Sequence, residues 1–253
     1  MIDHFESWVM TVLLLGLRIG PLFIFAPPFT LLRIPVSVRL VLSLAISMWL
    51  TGLHPQNSYL APFAEHGILA TAAGELLLGA SIALSFQVVF AALYTAGRTI
   101  DVQAGFGLAT LIEPATRSRT PLIGTLFAYI AGIFFFTMNG PVEMLALWSA
   151  SLNNIALGSA ILTADPGLLM GHIATSFTIA FGLAAVVLLA LFLTDMTVAA
   201  MAKTLPQMHV MLLGFQIKAM LLLIMLPISI TSGATLFLRL IRLALDNAGM
   251  VVR

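Results

Sequence analysis

Residues 173–194, IATSFTIAFGLAAVVLLALFLT, run for twenty-two positions without a charged side chain. Crossing the hydrocarbon core of a bilayer takes about 20 apolar helical residues, so this stretch alone commits the chain to a membrane. Residues 120–142 are likewise uncharged, and further apolar segments occupy 8–29, 40–53, 67–96 and 205–238, making six. Only 8% of the 253 residues are charged, against roughly 25% in soluble domains, too few to cover a water-facing surface. Ten-residue blocks of alternating polarity, the mark of a membrane β-barrel, do not recur. The expected fold is an all-α integral membrane protein, a single membrane domain over 1–253.

The segments are uneven. Residues 40–53 fall short of a full crossing and residues 67–96 overshoot it, which points to hairpins or tilted helices. Thr120-Pro121 and Asp165-Pro166 read as helix starts, a capping residue followed by proline in the first turn. Loops 30–39 and 97–119 hold Arg33, Arg39, Arg98, Arg117 and Arg119, whereas the amino terminus and loops 54–66 and 139–172 hold no Lys or Arg. The positive-inside rule then puts the amino terminus outside and 97–119 in the cytoplasm, with a loop at 195–204 inside again. Six spans would leave the carboxyl terminus outside, yet it carries Arg239, Arg242 and Arg253. Either the last segment turns back, or the helices do not occupy a bilayer in the ordinary way.

Arg18, Glu75 and Lys218 lie inside apolar segments. Such residues face a bundle interior, a partner or water. They form either an ion or substrate pathway or a mutually neutralised set within a helical assembly, with Lys218 also placed to snorkel. Gly16 and Gly20, and then Gly124, Ala128 and Gly132, repeat small residues every fourth position, the spacing that lets helices approach closely. Arg98 and Asp101 are spaced to pair on a helix surface.

No enzyme is visible. The five histidines are scattered and there is no cysteine, so no metal site or thiol chemistry is expected. There is no phosphate-binding loop, and GFGLA follows no strand, which excludes a dinucleotide site. No cofactor is expected, and a net charge of +1 gives no reason to expect nucleic acid. Residues 105–121, GFGLATLIEPATRSRTP, concentrate charge in a chain that has little.

Two stretches carry a family likeness: GFGLATLIEPATRSRTPLIGTLFAYIAGIFFFTMNG from Gly105, and KTLPQMHVMLLGFQIKAMLLLIMLP from Lys203. With LGLRIGPLFIFAPPF, then Arg33-Ile34-Pro35 and Arg39, they resemble, in order, the FliR/SctT family of type III secretion export-gate subunits. Glu113, Pro141, His209 and Gln216 depart from the family's usual aspartate, histidine, asparagine and proline. The wording LPQMHV…LGFQIK is closer to flagellar members, with the injectisome branch as the alternative.

The resemblance implies one subunit of a helical cone of bent hairpins. Its partners would be five FliP-like and four FliQ-like chains and a FlhB-like chain, and its cargo unfolded protein. The cone would sit in the bacterial inner membrane at the flagellar basal body, partly displaced to the periplasmic side. It also implies that 105–121 is the plug of the channel. Gly105 and Gly107 would then give it a hinge, and Phe106, Leu108, Leu111 and Ile112 an apolar stopper able to dewet a pore. Pro114 disfavours helix at Glu113, and Glu113, Arg117 and Arg119 would grip neighbouring subunits or the lumen. Two readings from other classes compete: a secondary transporter with Arg18, Glu75 and Lys218 at a central site, and a membrane scaffold with no channel.

Overall fold

The structure, a computed structural model, describes residues 2–31, 34–53, 67–106, 120–159, 166–204 and 210–252. Among these there are eight helices and no strand: α1 (Ile2–Phe25), α2 (Val36–Leu53), α3 (Ile68–Ala104), α4 (Leu122–Thr137), α5 (Gly140–Asn154), α6 (Pro166–Thr204), α7 (Val210–Ser232) and α8 (Ala234–Val251). The protein is all-α. Helices α1, α2, α3, α6 and α7 are long and apolar enough to cross a membrane, and the bent pair α4–α5 makes a sixth candidate.

Three boundaries differ from the sequence expectation. The short second segment is an 18-residue helix, because Val36–Arg39 continue it on the amino-terminal side. The loop expected at 195–204 is the last part of α6, which runs unbroken to Thr204; nothing in TDMTVAAMAKT breaks a helix. The apolar run 120–142 ends instead in a 69° bend between α4 and α5. The local sequence TMNGPVE explains the bend. Asn139 takes the left-handed conformation with φ 59°, which asparagine tolerates better than most residues. A Cβ on Gly140 would strike the Phe135 ring, and Pro141 fits the first turn of α5, where its missing N–H costs nothing.

At 1.5 Å per residue, the 37 residues of α3 extend for about 55 Å, well beyond the roughly 30 Å of a hydrocarbon core. Helix α6, at 39 residues, is longer still. Burial divides the helices: 61% of the best apolar window of α3 is buried, against 17% for α7. The first is interior, while the second offers an apolar face to lipid or to other protein.

The chain divides into two compact units. The first comprises residues 1–89, 132–172 and 241–253. Its core packs Phe23 in tilted contact with Phe29 (ring centroids 4.5 Å apart) and Trp148 (5.7 Å), and sets Phe86 edge-on to Phe135 at 6.0 Å. Arg39 donates from Nε to the Ile34 carbonyl and from Nη1 to the Ile24 carbonyl, both at 3.0 Å; the second bond satisfies a carbonyl the end of α1 leaves open. The second unit comprises residues 90–131 and 173–240. Phe127 packs edge-on to Phe237 at 5.8 Å, and Ser229 Oγ donates to the Leu183 carbonyl at 2.9 Å, joining α7 to α6.

Candidate functional site

Arg18 and Glu75 are both fully buried. The guanidinium grips the carboxylate with two bonds, Nε to Oε2 at 2.6 Å and Nη2 to Oε1 at 2.9 Å. Its Nη1 donates to Ser151 Oγ at 2.8 Å, to the Ser151 carbonyl at 3.2 Å and to the Ile155 carbonyl at 3.1 Å. Glu75 Oε1 also accepts the Gly158 N–H at 2.7 Å, where φ of +87° suits glycine. The pair thus ties α1 to α3 and both to the chain leaving α5. Buried charges persist only when paired and hydrogen-bonded, and each guanidinium nitrogen and each carboxylate oxygen of this pair has a partner. Gly79, one turn after Glu75, explains how α3 comes so close: a Cβ there would collide with the Arg18 backbone.

Lys218 takes a different partner. Its ammonium pairs with the Asp195 carboxylate on α6 and donates to the Gln103 carbonyl at 3.1 Å. Gln103 Nε2 donates to Asp195 Oδ2 at 2.8 Å. The expectation of one mutually neutralising trio of Arg18, Glu75 and Lys218 therefore gives way to two separate clusters. Asp195 stands at the edge of an uncharged run, where the charge count places a loop, so sequence spacing alone does not pair it with Lys218. The signal was available: an acid closing one apolar helix and the sole charge within α7, Lys218.

The Lys218–Asp195 cluster holds Gln103, two residues before the segment 105–121, whose two feet are in the second unit. At the first foot, Gly105 has φ +88° and donates its N–H to the Val102 carbonyl at 3.1 Å, ending α3 in the left-handed turn that glycine favours. Phe106 lies edge-on to Phe215 of α7, ring centroids 6.2 Å apart. Gly107, Leu108, Leu111, Ile112, Glu113, Pro114, Arg117 and Arg119 lie outside the described residues.

The second foot is the start of α4. Pro121 is its cap residue, its carbonyl accepting the Thr125 N–H at 3.1 Å; Thr120 stands one position earlier than expected of a cap. The open N–H groups of Ile123 and Gly124 are taken instead by the Asp101 carboxylate, at 3.0–3.3 Å. Asp101 is buried and faces α4 rather than pairing with Arg98, which is exposed. A carboxylate at a helix amino terminus satisfies two donors and meets the positive end of the dipole. Beside it α3 and α4 touch backbone to backbone, for a Cβ on Gly97 would stand 2.5 Å from Gly124 Cα, and one on Gly124 would stand 2.6 Å from the Tyr94 carbonyl oxygen. The feet are thus clamped together.

The other small residues are placed unequally. Gly16 faces α2, where an added Cβ would lie 3.1 Å from Leu44 Cδ2, whereas at Gly20 it would reach only Ile24 of the same helix at 4.0 Å. Ala128 is buried, and Gly132 has ordinary room, 3.5 Å from Pro28 Cβ. Sequence spacing missed Gly79 and Gly97, because their partners are far away along the chain. A groove of about 480 Å³ in the first unit is lined by apolar side chains, among them Phe29, Leu42, Trp49 and Met144. It lacks the convergent polar groups that orient a small solute. No group of metal-ligating side chains occurs among the described residues.

Residues 9–244 match the family described as bacterial export proteins, family 1. The chain is 31% identical over 231 residues to the flagellar biosynthetic protein FliR of Bacillus subtilis (strain 168), covering 89% of this chain and 86% of that one. It is 24% identical over 242 residues to FliR of Escherichia coli (strain K12), covering 95% and 88%. Its likeness to Yop proteins translocation protein T of Yersinia pestis is 28% over 157 residues, covering 61% and 60%.

Proposed function

Because the chain belongs to the bacterial export proteins, family 1, we propose that it is a flagellar export-gate subunit, present once in a complex with FliP-like and FliQ-like chains. The complex conducts unfolded flagellar proteins across the bacterial inner membrane, with a FlhB-like chain as a further partner. The observation that carries this reading is the extent of the match: the flagellar relatives above share 89% and 95% of this chain, the injectisome relative 61%. Two structural features support it. Helix α3 is about 25 Å longer than a hydrocarbon core is thick, as suits a subunit partly raised to the periplasmic side. Helices α2, α6 and α7 present long rows of exposed apolar side chains, surface that subunit neighbours and lipid would share.

Within that complex, residues 105–121 form the plug. The two described ends of that segment are held next to each other by the Asp101 carboxylate and the Gly97–Gly124 contact, as an anchored plug requires. Phe106, Leu108, Leu111 and Ile112 supply the apolar constriction, and Glu113, Arg117 and Arg119 hold it against neighbours. Arg18 and Glu75 act in assembly and folding, not in transport. A solute pathway through them loses its support, since each nitrogen and oxygen of the buried pair is already engaged within the chain. The role requires no catalysis and no cofactor.

Deleting residues 106–113 tests the plug. Cells carrying the shortened chain should assemble the complex at normal yield and leak small ions through it. Normal assembly with unchanged permeability would refute the plug while leaving the export role standing. Removing the whole chain should abolish flagella, and undiminished flagellation would refute the role itself.

A further inference from the structure

The last turn of α3 is held by two other helices. Lys218 donates to the Gln103 carbonyl at 3.1 Å, one of the carbonyls that the end of α3 leaves without an intrahelical donor. A cation there also meets the negative end of the helix dipole. Asp195 neutralises Lys218 and accepts Gln103 Nε2 at 2.8 Å, so the carboxylate fixes both the lysine and the residue it grips. One turn earlier on α7, Phe215 meets Phe106, on the same helix face as Lys218. Gly105 stands between these contacts in a backbone conformation that few other residues adopt.

Lys218 is the sole charge within α7, where an apolar residue would serve a membrane helix better. Neutralisation alone does not account for it, because neither Lys218 nor Asp195 would need neutralising if both were apolar. What the charges accomplish is the orientation of residues 103–106. We infer that Lys218 and Asp195 are positioning residues, which set the direction in which the chain leaves α3 at Gly105. The consequence for export rests on the plug reading above; the inference about residues 103–106 does not.

The chain has no cysteine, so Val102→Cys gives it a single site for a nitroxide label, read in a complex whose unsubstituted form supplies the background. Val102 is exposed on the turn in question. With Lys218 and Asp195 intact the label should report a restricted turn. Lys218→Met should shift the ratio of released to held turn by roughly ten- to hundredfold, the effect of losing a charged hydrogen bond. Asp195→Asn, which keeps an acceptor for one of the two partners and sets its amide against the other, is the milder variant should Lys218→Met assemble poorly, and should give an intermediate spectrum. Lys218→Arg, retaining charge and donors, should restore restriction.

The exchange Lys218→Asp with Asp195→Lys is the decisive variant. It restores opposite charges but sets an acceptor against the Gln103 carbonyl. Complex yield should recover while the label stays mobile. A swap that also restores the restricted spectrum, or single variants as restricted as the native protein, would overturn the inference. If the label loosens but neither these variants nor the 106–113 deletion leaks ions, the positioning role stands and the plug reading falls.

Discussion

Replacing Glu75 by glutamine changes one oxygen into an amide nitrogen and should cost the protein about as much as a core truncation. Glutamine fits the space and can still accept the Gly158 N–H, bonded to Glu75 Oε1 at 2.7 Å. Its amide, however, turns donors toward an Arg18 group that itself donates, at a distance of 2.6 Å in the native pair. The guanidinium is then a fully buried charge without a counter-ion, left with neutral acceptors alone: the retained amide oxygen and the Ser151 and Ile155 oxygens. Breaking a buried pair by removing one partner costs about 3–5 kcal/mol, and the retained Gly158 bond puts Glu75→Gln near the lower end. About 3 kcal/mol is a roughly 150-fold change in the ratio of folded to unfolded chain. Glu75→Ala also orphans the Gly158 N–H, adding about 1–3 kcal/mol.

The informative comparison is Arg18→Met with Glu75→Met. It removes both charges and leaves neutral orphans at Gly158, Ile155 and Ser151, so it should be no less stable than Glu75→Gln alone. Folded fraction against SDS concentration, followed by tryptophan fluorescence in detergent, measures these variants and both singles of the cycle, Arg18→Met and Glu75→Met. The cycle should show the double variant more stable than the sum of the singles by about 3 kcal/mol, the upper range for residues in contact. A Glu75→Gln protein within about 0.5 kcal/mol of native, the usual effect of a surface change, would refute the argument. So would a double variant whose loss equals the sum of the singles.

Asp101→Ala removes the acceptor for the Ile123 and Gly124 N–H groups; it should cost about 1 kcal/mol and speed hydrogen exchange at those two amides, leaving exchange in mid-α4 unchanged. Gly97→Val should abolish folded yield, because its Cβ would stand 2.5 Å from Gly124 Cα with backbone on both sides. Gly132→Ala, with 3.5 Å to Pro28 Cβ, should leave yield in detergent as it was, and a loss comparable to that of Gly97→Val would contradict the packing described. Arg39→Ala removes the bonds to the Ile34 carbonyl and to the Ile24 carbonyl at the end of α1 and should cost about 1.5–3 kcal/mol, read as a lowered thermal midpoint.

Helices α1, α3, α6 and α7 could be read in the sequence because long uncharged runs admit few other structures, and the prolines at 121 and 166 stand at or beside the helix starts. Helix α5 could not. VEMLALWSASLNN mixes polar and apolar residues, and without Lys or Arg it resembles a loop to a rule that counts charges. Helix α8 was hidden in the same way: Arg239, Arg242 and Asp246 are exposed, while Phe237, Leu240, Ile241, Ala244 and Ala248 are buried. An amphipathic helix of that kind has no reason to obey a charge rule written for loops. The site was legible by composition and not by pairing. Arg18, Glu75 and Lys218 stood out as intramembrane charges, but Asp195 for Lys218 and Asp101 for α4 are contacts between residues 22 or more apart in sequence. Local spacing suggests Arg98 for Asp101; the open amides of α4 win because two buried donors need an acceptor more than an exposed arginine needs a partner.

The export-gate assignment is tested most directly by the composition of the complex isolated in mild detergent through a tag on this chain. Native mass measurement, with cryo-EM of the same preparation, counts the subunits. The account predicts one copy of this chain with five FliP-like and four FliQ-like chains around a channel. A stable monomer or homodimer that lacks those chains and binds a small solute would contradict it.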